Sequence, residues 1–297
     1  MLVGTALSVR KDPNNPPTAR ARSRDDACPN FRVRSIFNPL KIRLTTKSAS
    51  DRKYLAIQSA AQAMSRPSLF ELATTGLVAL IWAYGCLLFA GYLKRKLGVR
   101  TGYTRKVFHL LIFSSAVIVH ARWGFVAVCV FGSMVSIVVA HAVIAGPGNR
   151  LYEAIAREKD GARRTYFVVI PYFATLIGGL VSSALFGPLA VVGYLVGGLG
   201  DAAGEPIGTR WGKHCLPSNP MATKTLEGSI GVVIASAMAL LIAVAIRPEF
   251  HADLQTIIAV PLISVICGLV EAVSPRGWDN VSMQIVPTVL AAILLVR

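Results

Sequence analysis

From Leu72 onward the chain alternates long apolar runs with short charged loops. Several windows of about 18 or more residues lack any Asp, Glu, Lys or Arg, a length that suits a crossing of the bilayer's hydrocarbon layer rather than a core helix. Backbone groups in lipid must be satisfied within their own segment, so these runs predict helices. Candidate spans fall at about 72–93, 107–121, 123–145, 167–186, 188–200, 229–247, 254–272 and 281–296. The run 188–200 is too short to cross alone, so its helix is expected to start near Leu185 or to continue past Gly200. Pro206 predicts a break or restart in the stretch that follows. The fold class is therefore all-α, a polytopic membrane protein with about seven or eight transmembrane helices.

Residues 1–66 show no such pattern. "DPNNPP", "ARARSRDD" and "KIRLTTKSASDRK" are polar, basic and turn-rich, which predicts a disordered tail preceding a membrane domain at 67–297. No apolar core follows Met1, so a secretory signal is not expected; the Arg-rich, acid-poor composition is that of an organelle transit peptide. If loops alternate sides, 94–106, 146–166, 201–228 and 273–280 share one side and carry fifteen Lys/Arg. The opposite side holds Arg122, Arg247 and Arg297 beyond the first span. That bias places the charged loops in the cytosol, stroma or matrix. The basic tail then lies on the wrong side of the first span, a conflict that cleavage after import would remove. The expected location is an integral membrane protein of the chloroplast, with the endoplasmic reticulum or another cellular membrane as the alternative.

Composition sharpens this picture. Of 297 residues, 54% are hydrophobic and 15% charged, whereas about a quarter is charged in an ordinary soluble domain. The net charge of +16 is uneven: through Arg66 there are thirteen Lys/Arg against four Asp/Glu. The remaining bases sit between apolar spans, where orientation and anionic ligands or lipids account for them; nucleic acid is not an expected partner. Five scattered cysteines without a C-x-x-C pair read as small hydrophobes and signal neither a disulfide framework nor a zinc site.

The chemistry lies in the same-side loops. Arg105, Lys106 and His109 open the second span in "YTRKVFH". Asp201, Glu205, Arg210 and Lys213 stand in "GDAAGEPIGTRWGKH", and Lys224 and Glu227 in "TKTLEGS". Glu271, Asp279 and Asn280 close the set in "VEAVSPRGWDN". Carboxylates with a surplus of bases are the residue types of a Mg²⁺–polyphosphate site: oxygen ligands hold the metal, while Lys and Arg neutralise the phosphates. A carboxylate such as Asp201 at the end of an apolar run needs a reason, and the glycines around it suggest close approach of a ligand. Asp201 is the first candidate metal ligand, with Glu205, Glu227 and Asp279 as second ligand or general base. Lys224, Arg210 and Lys213 are candidates for holding phosphates, with Arg105, Lys106 and His109 completing the pocket. No P-loop is present.

Taken in order, "RKVFH", "GDAAGEPIGTRWGKH", "TKTLEGS" and "EAVSPRGWDN" resemble the phytol kinase/dolichol kinase family over about residues 100–290. The resemblance implies a membrane-bound kinase that transfers a phosphoryl group from CTP, or another nucleoside triphosphate, to phytol or a related prenyl alcohol with Mg²⁺. Phosphatidate cytidylyltransferases are similar around 201–228, so CDP-diacylglycerol synthesis is the alternative; "RKVFH" and "EAVSPRGWDN" favour the kinases. A transporter is a lesser alternative, against which stands the lack of an evident internal repeat.

Overall fold

The structure, a computed structural model, describes residues 69–216 and 224–296. The basic tail and the cleavage expected of it lie outside the described residues. Helices carry almost all of the rest: α1 (Leu69–Leu97), α2 (Thr101–Ala145), α3 (Arg150–Ile155), α4 (Tyr166–Phe186), α5 (Ala190–Trp211), α6 (Leu226–Ile246), α7 (Leu254–Val273) and α8 (Asp279–Leu294). The all-α reading holds. Five helical stretches are long and apolar enough to cross a membrane. Two of these, Thr101–Ala145 and Tyr166–Trp211, have 45 and 46 residues. At 1.5 Å per residue, 45 residues extend ~68 Å, about twice the hydrocarbon thickness. Each is interrupted near its middle by a glycine in the left-handed region, Gly124 (φ 76°) and Gly187 (φ 51°). The chain reverses there, in agreement with the boundaries expected at 121–123 and 186–188. With α1, α6, α7 and the shorter α8, eight apolar segments run up and down.

Local signals set the helix ends. Lys94, Arg95 and Lys96 occupy the last turn of α1, where cations complement the helix dipole, and Gly98 (φ 63°) follows. Asn149, Thr225 and Asp253 cap α3, α6 and α7 by accepting backbone N–H bonds from Leu151, Gly228 and Thr256. The outward face of α7 shows Leu254, Ile258, Leu262, Val265 and Leu269, a stripe with helical spacing that water would not tolerate and lipid does. Among the cysteines, Cys86, Cys129 and Cys267 are free thiols within apolar helices.

α5 is the central helix. Val191, Val192 and Val196 are fully buried, and α5 separates a core built with α1, α2 and α3 from one built with α6, α7 and α8. Its glycines make this possible: at Gly197, Gly198 and Gly200 the close approach is that of other helices, while Gly204 also lines the charged cavity described below. A Cβ on Gly198 would lie 2.7 Å from the Phe113 Cβ, and one on Gly200 2.9 Å from the Met283 Cε. They are small-residue helix contacts, the usual device of membrane bundles. The helix also runs through Pro206 to Trp211 without the expected restart. Proline removes one hydrogen bond there, and tight packing against α6, where a Cβ on Gly204 would reach Val232 at 2.8 Å, holds the helix from outside. Gly193→Ala should be the most damaging methyl in this seam. Its Cβ would fall 2.5 Å from the Gln284 carbonyl oxygen, a backbone atom that cannot turn away. A loss of ~1–3 kcal/mol is expected from such overpacking. Thermal unfolding in detergent checks it, with Gly85→Ala, which meets nothing within 4 Å, as the neutral control.

Candidate functional site

The ends of the bundle differ. At the far end lie the Gly124 and Gly187 turns, Arg247 and the Phe250–Val296 bridge. At the near end, the start of α2, the loop after α3, the end of α5, the start of α6, the end of α7 and the start of α8 surround a cavity of about 460 Å³. These are the four loops expected to share a side.

Each wall is placed by local bonds. The Thr104 hydroxyl donates to the Ala154 carbonyl at 2.7 Å and the Thr101 hydroxyl to that of Glu153 at 3.2 Å, which ties the start of α2 to α3. Pro171 has no N–H for the Phe167 carbonyl, so that oxygen is left for a side chain, and Arg105 Nη1 donates to it at 3.3 Å. An antiparallel bridge pairs Cys215 with Thr225, with Leu216 N donating to the Lys224 carbonyl at 2.8 Å and Leu226 N to that of His214 at 2.9 Å. That bridge delivers Lys224 to the cavity.

The charges form a continuous alternating chain. Asp160, whose side chain is 2% exposed, accepts from Arg276 Nη2 at 2.5 Å and from Arg157 Nε at 3.1 Å. Arg157 also pairs with Glu205. Lys106 Nζ lies 2.8 Å from Asp201 Oδ2 and 3.7 Å from Glu205 Oε2. His109 Nε2 follows, 3.4 Å from Asp201 Oδ2 and 3.2 Å from the Gly197 carbonyl. Opposite, Lys224 Nζ sits 2.8 Å from Glu271 Oε1 and 3.4 Å from Asp279 Oδ2. So two carboxylate pairs, Asp201/Glu205 and Glu271/Asp279, each hold one lysine. In all, seven Lys/Arg line the cavity against five carboxylates, leaving it with a cationic surplus.

The loop guanidiniums respond to this network in opposite directions. Burial works against the Arg157 charge, but the carboxylates of Glu205 and Asp160 outweigh it and raise its pKa above the ordinary arginine value. Arg276 is pushed below that value by burial and by the neighbouring Arg157 charge, against which Asp160 acts only in part. Its guanidinium also stacks 4.1 Å over the Phe167 ring.

Of the residues singled out from the sequence, Arg105, Lys106, Asp201, Glu205, Lys213, Lys224 and Asp279 line the cavity, and His109 touches Asp201 from behind. Three lie elsewhere. Glu227 is beside His214, with Nδ1 at 2.7 Å from its Oε1. Arg210 is exposed on the other side of α5, its guanidinium 5.2 Å over the Trp211 ring. Asn280 is buried and ties α8 to α4, donating from Nδ2 to the Pro171 carbonyl at 3.0 Å and to Thr175 Oγ1 at 2.8 Å. Glu271, named with Asp279 and Asn280 from the sequence, also lines the cavity. Asp160 and Arg276 had no role in the sequence reading, and Arg157 was only a member of a charged loop; the Arg276–Asp160 and Arg157–Glu205 partners lie far apart along the chain. Among the described residues, no three His, Cys, Asp or Glu side chains are gathered as a preformed metal cage.

Fold and cleft together define an integral α-helical membrane protein with a charged, cation-rich cavity at one end of its bundle. The chain matches no family model, no curated protein and no solved structure.

Proposed function

We propose that this protein is a membrane-bound kinase that transfers the γ-phosphoryl group of a nucleoside triphosphate, CTP in our reading, to the hydroxyl of a prenyl alcohol of the phytol class. One observation carries the proposal: two carboxylate pairs, each holding one lysine, face one another in a cavity with surplus Arg and Lys, at the end of an apolar bundle. A triphosphate needs that cationic surplus, and a lipid alcohol needs its hydroxyl held where spans end. The residues fit a magnesium–nucleotide complex without a protein cage, because Mg²⁺ is usually held by one or two carboxylates together with the substrate's phosphates. Asp201 and Glu205 are the pair assigned to it. When bound, the ion supplies charge neutralisation at the β- and γ-phosphates.

The chain's own residues do the rest. Lys106 and Lys224, released from their carboxylates as phosphates enter, follow the negative charge, with Arg105, Lys213 and Arg276 around them. The alcohol oxygen bonds to the γ-phosphorus while the bond from that phosphorus to the β–γ bridging oxygen breaks, and its electron pair leaves on CDP. The hydroxyl proton passes to Asp279. It lies farther from Lys224 than Glu271 does, so it is the less firmly paired of the two. His109 holds Asp201 in place from outside the cavity. The basic residues 1–66 make the chloroplast our reading of the membrane.

The cytidylyltransferase reading uses the same cavity and differs in which phosphorus is attacked. Membranes containing the protein, given Mg²⁺, phytol and CTP labelled at the γ-position, should form labelled phytyl phosphate and unlabelled CDP. Transfer of label from α-labelled CTP into a CDP-lipid with phosphatidate, with no phytyl phosphate, would replace the kinase by the cytidylyltransferase. Neither product would remove both.

A further inference from the structure

A second cavity, of about 220 Å³, opens between α2 and α4 below the charged cleft. We propose that it is the berth for the hydrocarbon chain of the lipid alcohol, a proposal that rests on the kinase reading above. The two cavities adjoin along α2 and α4. His109, 3.4 Å from Asp201, stacks at 4.3 Å between ring centroids on Phe113, which lines the apolar cavity. The same step is made on α4: Pro171 lines the cleft and Thr175, one turn further, lines the cavity, with Asn280 bonded to both beside Asp279. Charge therefore gives way to hydrocarbon within one helical turn on either side.

The polar side chains along this wall are already satisfied internally. The Ser136 hydroxyl donates to the Gly132 carbonyl at 2.9 Å and lies 2.8 Å from the Tyr172 hydroxyl. The Thr175 hydroxyl donates to the Pro171 carbonyl at 2.9 Å. A wall whose lining hydroxyls are bonded internally favours an apolar occupant. Along α4 the lining runs from Tyr172 to Leu180, ~12 Å of helix at 1.5 Å per residue. Leu180 is 48% exposed on the outer surface of the bundle, so the cavity has a side mouth toward the membrane. A chain entering from the bilayer would lie along this slot with its hydroxyl end directed toward Asp201.

Gly132 offers the means to fill the slot. A Cβ there meets only Leu176 Cδ2, at 3.7 Å, so the branch point of Gly132→Leu is accommodated and its side chain adds bulk to the cavity that Gly132 lines. In proteoliposomes, Gly132→Leu should lower kcat/KM for a twenty-carbon isoprenoid alcohol about tenfold or more, and change that for a five-carbon prenyl alcohol by less than about twofold. A twenty-carbon alcohol bearing a diazirine near its far end should label peptides of α2 and α4, be competed by unlabelled phytol but not by phosphatidylcholine, and lose that labelling in the variant. Leu176→Phe serves as a second filling variant should Gly132→Leu not fold. An equal loss for both alcohols, labelling elsewhere, or competition by the phospholipid would overturn the chain site. If the unaltered protein phosphorylates neither alcohol yet labels as described, the kinase reading fails and the chain site stands.

Discussion

Asp201→Asn should reduce phosphoryl transfer by about 10²–10³-fold, the range seen when one electrostatic contact to a transition state is removed, and should leave the protein folded. The two halves of this result have different causes. Asp201 lies 2.8 Å from Lys106 and 3.4 Å from His109 on the wall of the cavity. In the proposed reaction it exchanges the lysine for the metal of the nucleotide complex, so an amide in its place loses the ligand charge. The fold survives because Lys106 keeps Glu205 at 3.7 Å and His109 keeps the Gly197 carbonyl at 3.2 Å. The readout that separates a metal ligand from a structural ion pair is the Mg²⁺ titration of activity. Asn should raise the concentration needed for half-maximal rate, while nucleotide binding without metal is unchanged or tighter, since one negative charge has left a cationic cavity. A folded Asp201→Asn protein with full activity and an unshifted Mg²⁺ dependence would remove Asp201 from the mechanism.

The bundle was legible because lipid leaves few options. A run such as 72–93 has no charge to place in water, and its backbone must close hydrogen bonds within itself. The reversal at Gly124 was marked as well, by the interruption of apolar residues at Arg122. The convergence of the charged loops was legible from their common sidedness. What the sequence could not show is which face each charge takes once a helix continues. Arg210 lies nine residues after Asp201 on an unbroken α5, and at about 100° per residue it points about 180° away. Its exclusion follows from the helix passing through Pro206, the point at which a restart was expected. Glu227 stands only three residues after Lys224, but α6 begins at Leu226, so Lys224 stands in the extended bridge before it and the two do not share a helix face. Asp160 and Arg276 were illegible for a different reason: they meet from loops 116 residues apart, and no local pattern encodes a pairing of that range. The glycines of "GGLGDAAG" carried a real signal, close approach: at Gly198 and Gly200 the approaching groups are Phe113 and Met283, and Gly204 both meets Val232 and lines the cavity.

Lys224→Met should be the most destabilising single change in the cavity, and a second substitution should restore stability without restoring activity. The Lys224, Glu271 and Asp279 side chains are only 11%, 13% and 15% exposed. Removing the lysine leaves two carboxylates facing each other with no cation between them, and breaking a buried pair in this way costs ~3–5 kcal/mol. The Ser229 hydroxyl, 3.4 Å from Glu271 Oε2, is too weak a partner to compensate. Glu271→Gln in the Lys224→Met background removes one of the two stranded charges, so the double variant should melt well above the single one, with a coupling energy of ~1–3 kcal/mol in the double-mutant cycle. Activity should behave otherwise. In the proposed reaction Lys224 moves onto the phosphates, a role neither Met nor Gln can take, so the double variant should remain inactive although it is folded. If activity returned together with stability, Lys224 would be a structural counter-ion for α7 and α8, and the phosphates would have to be held by Lys106 and the arginines alone.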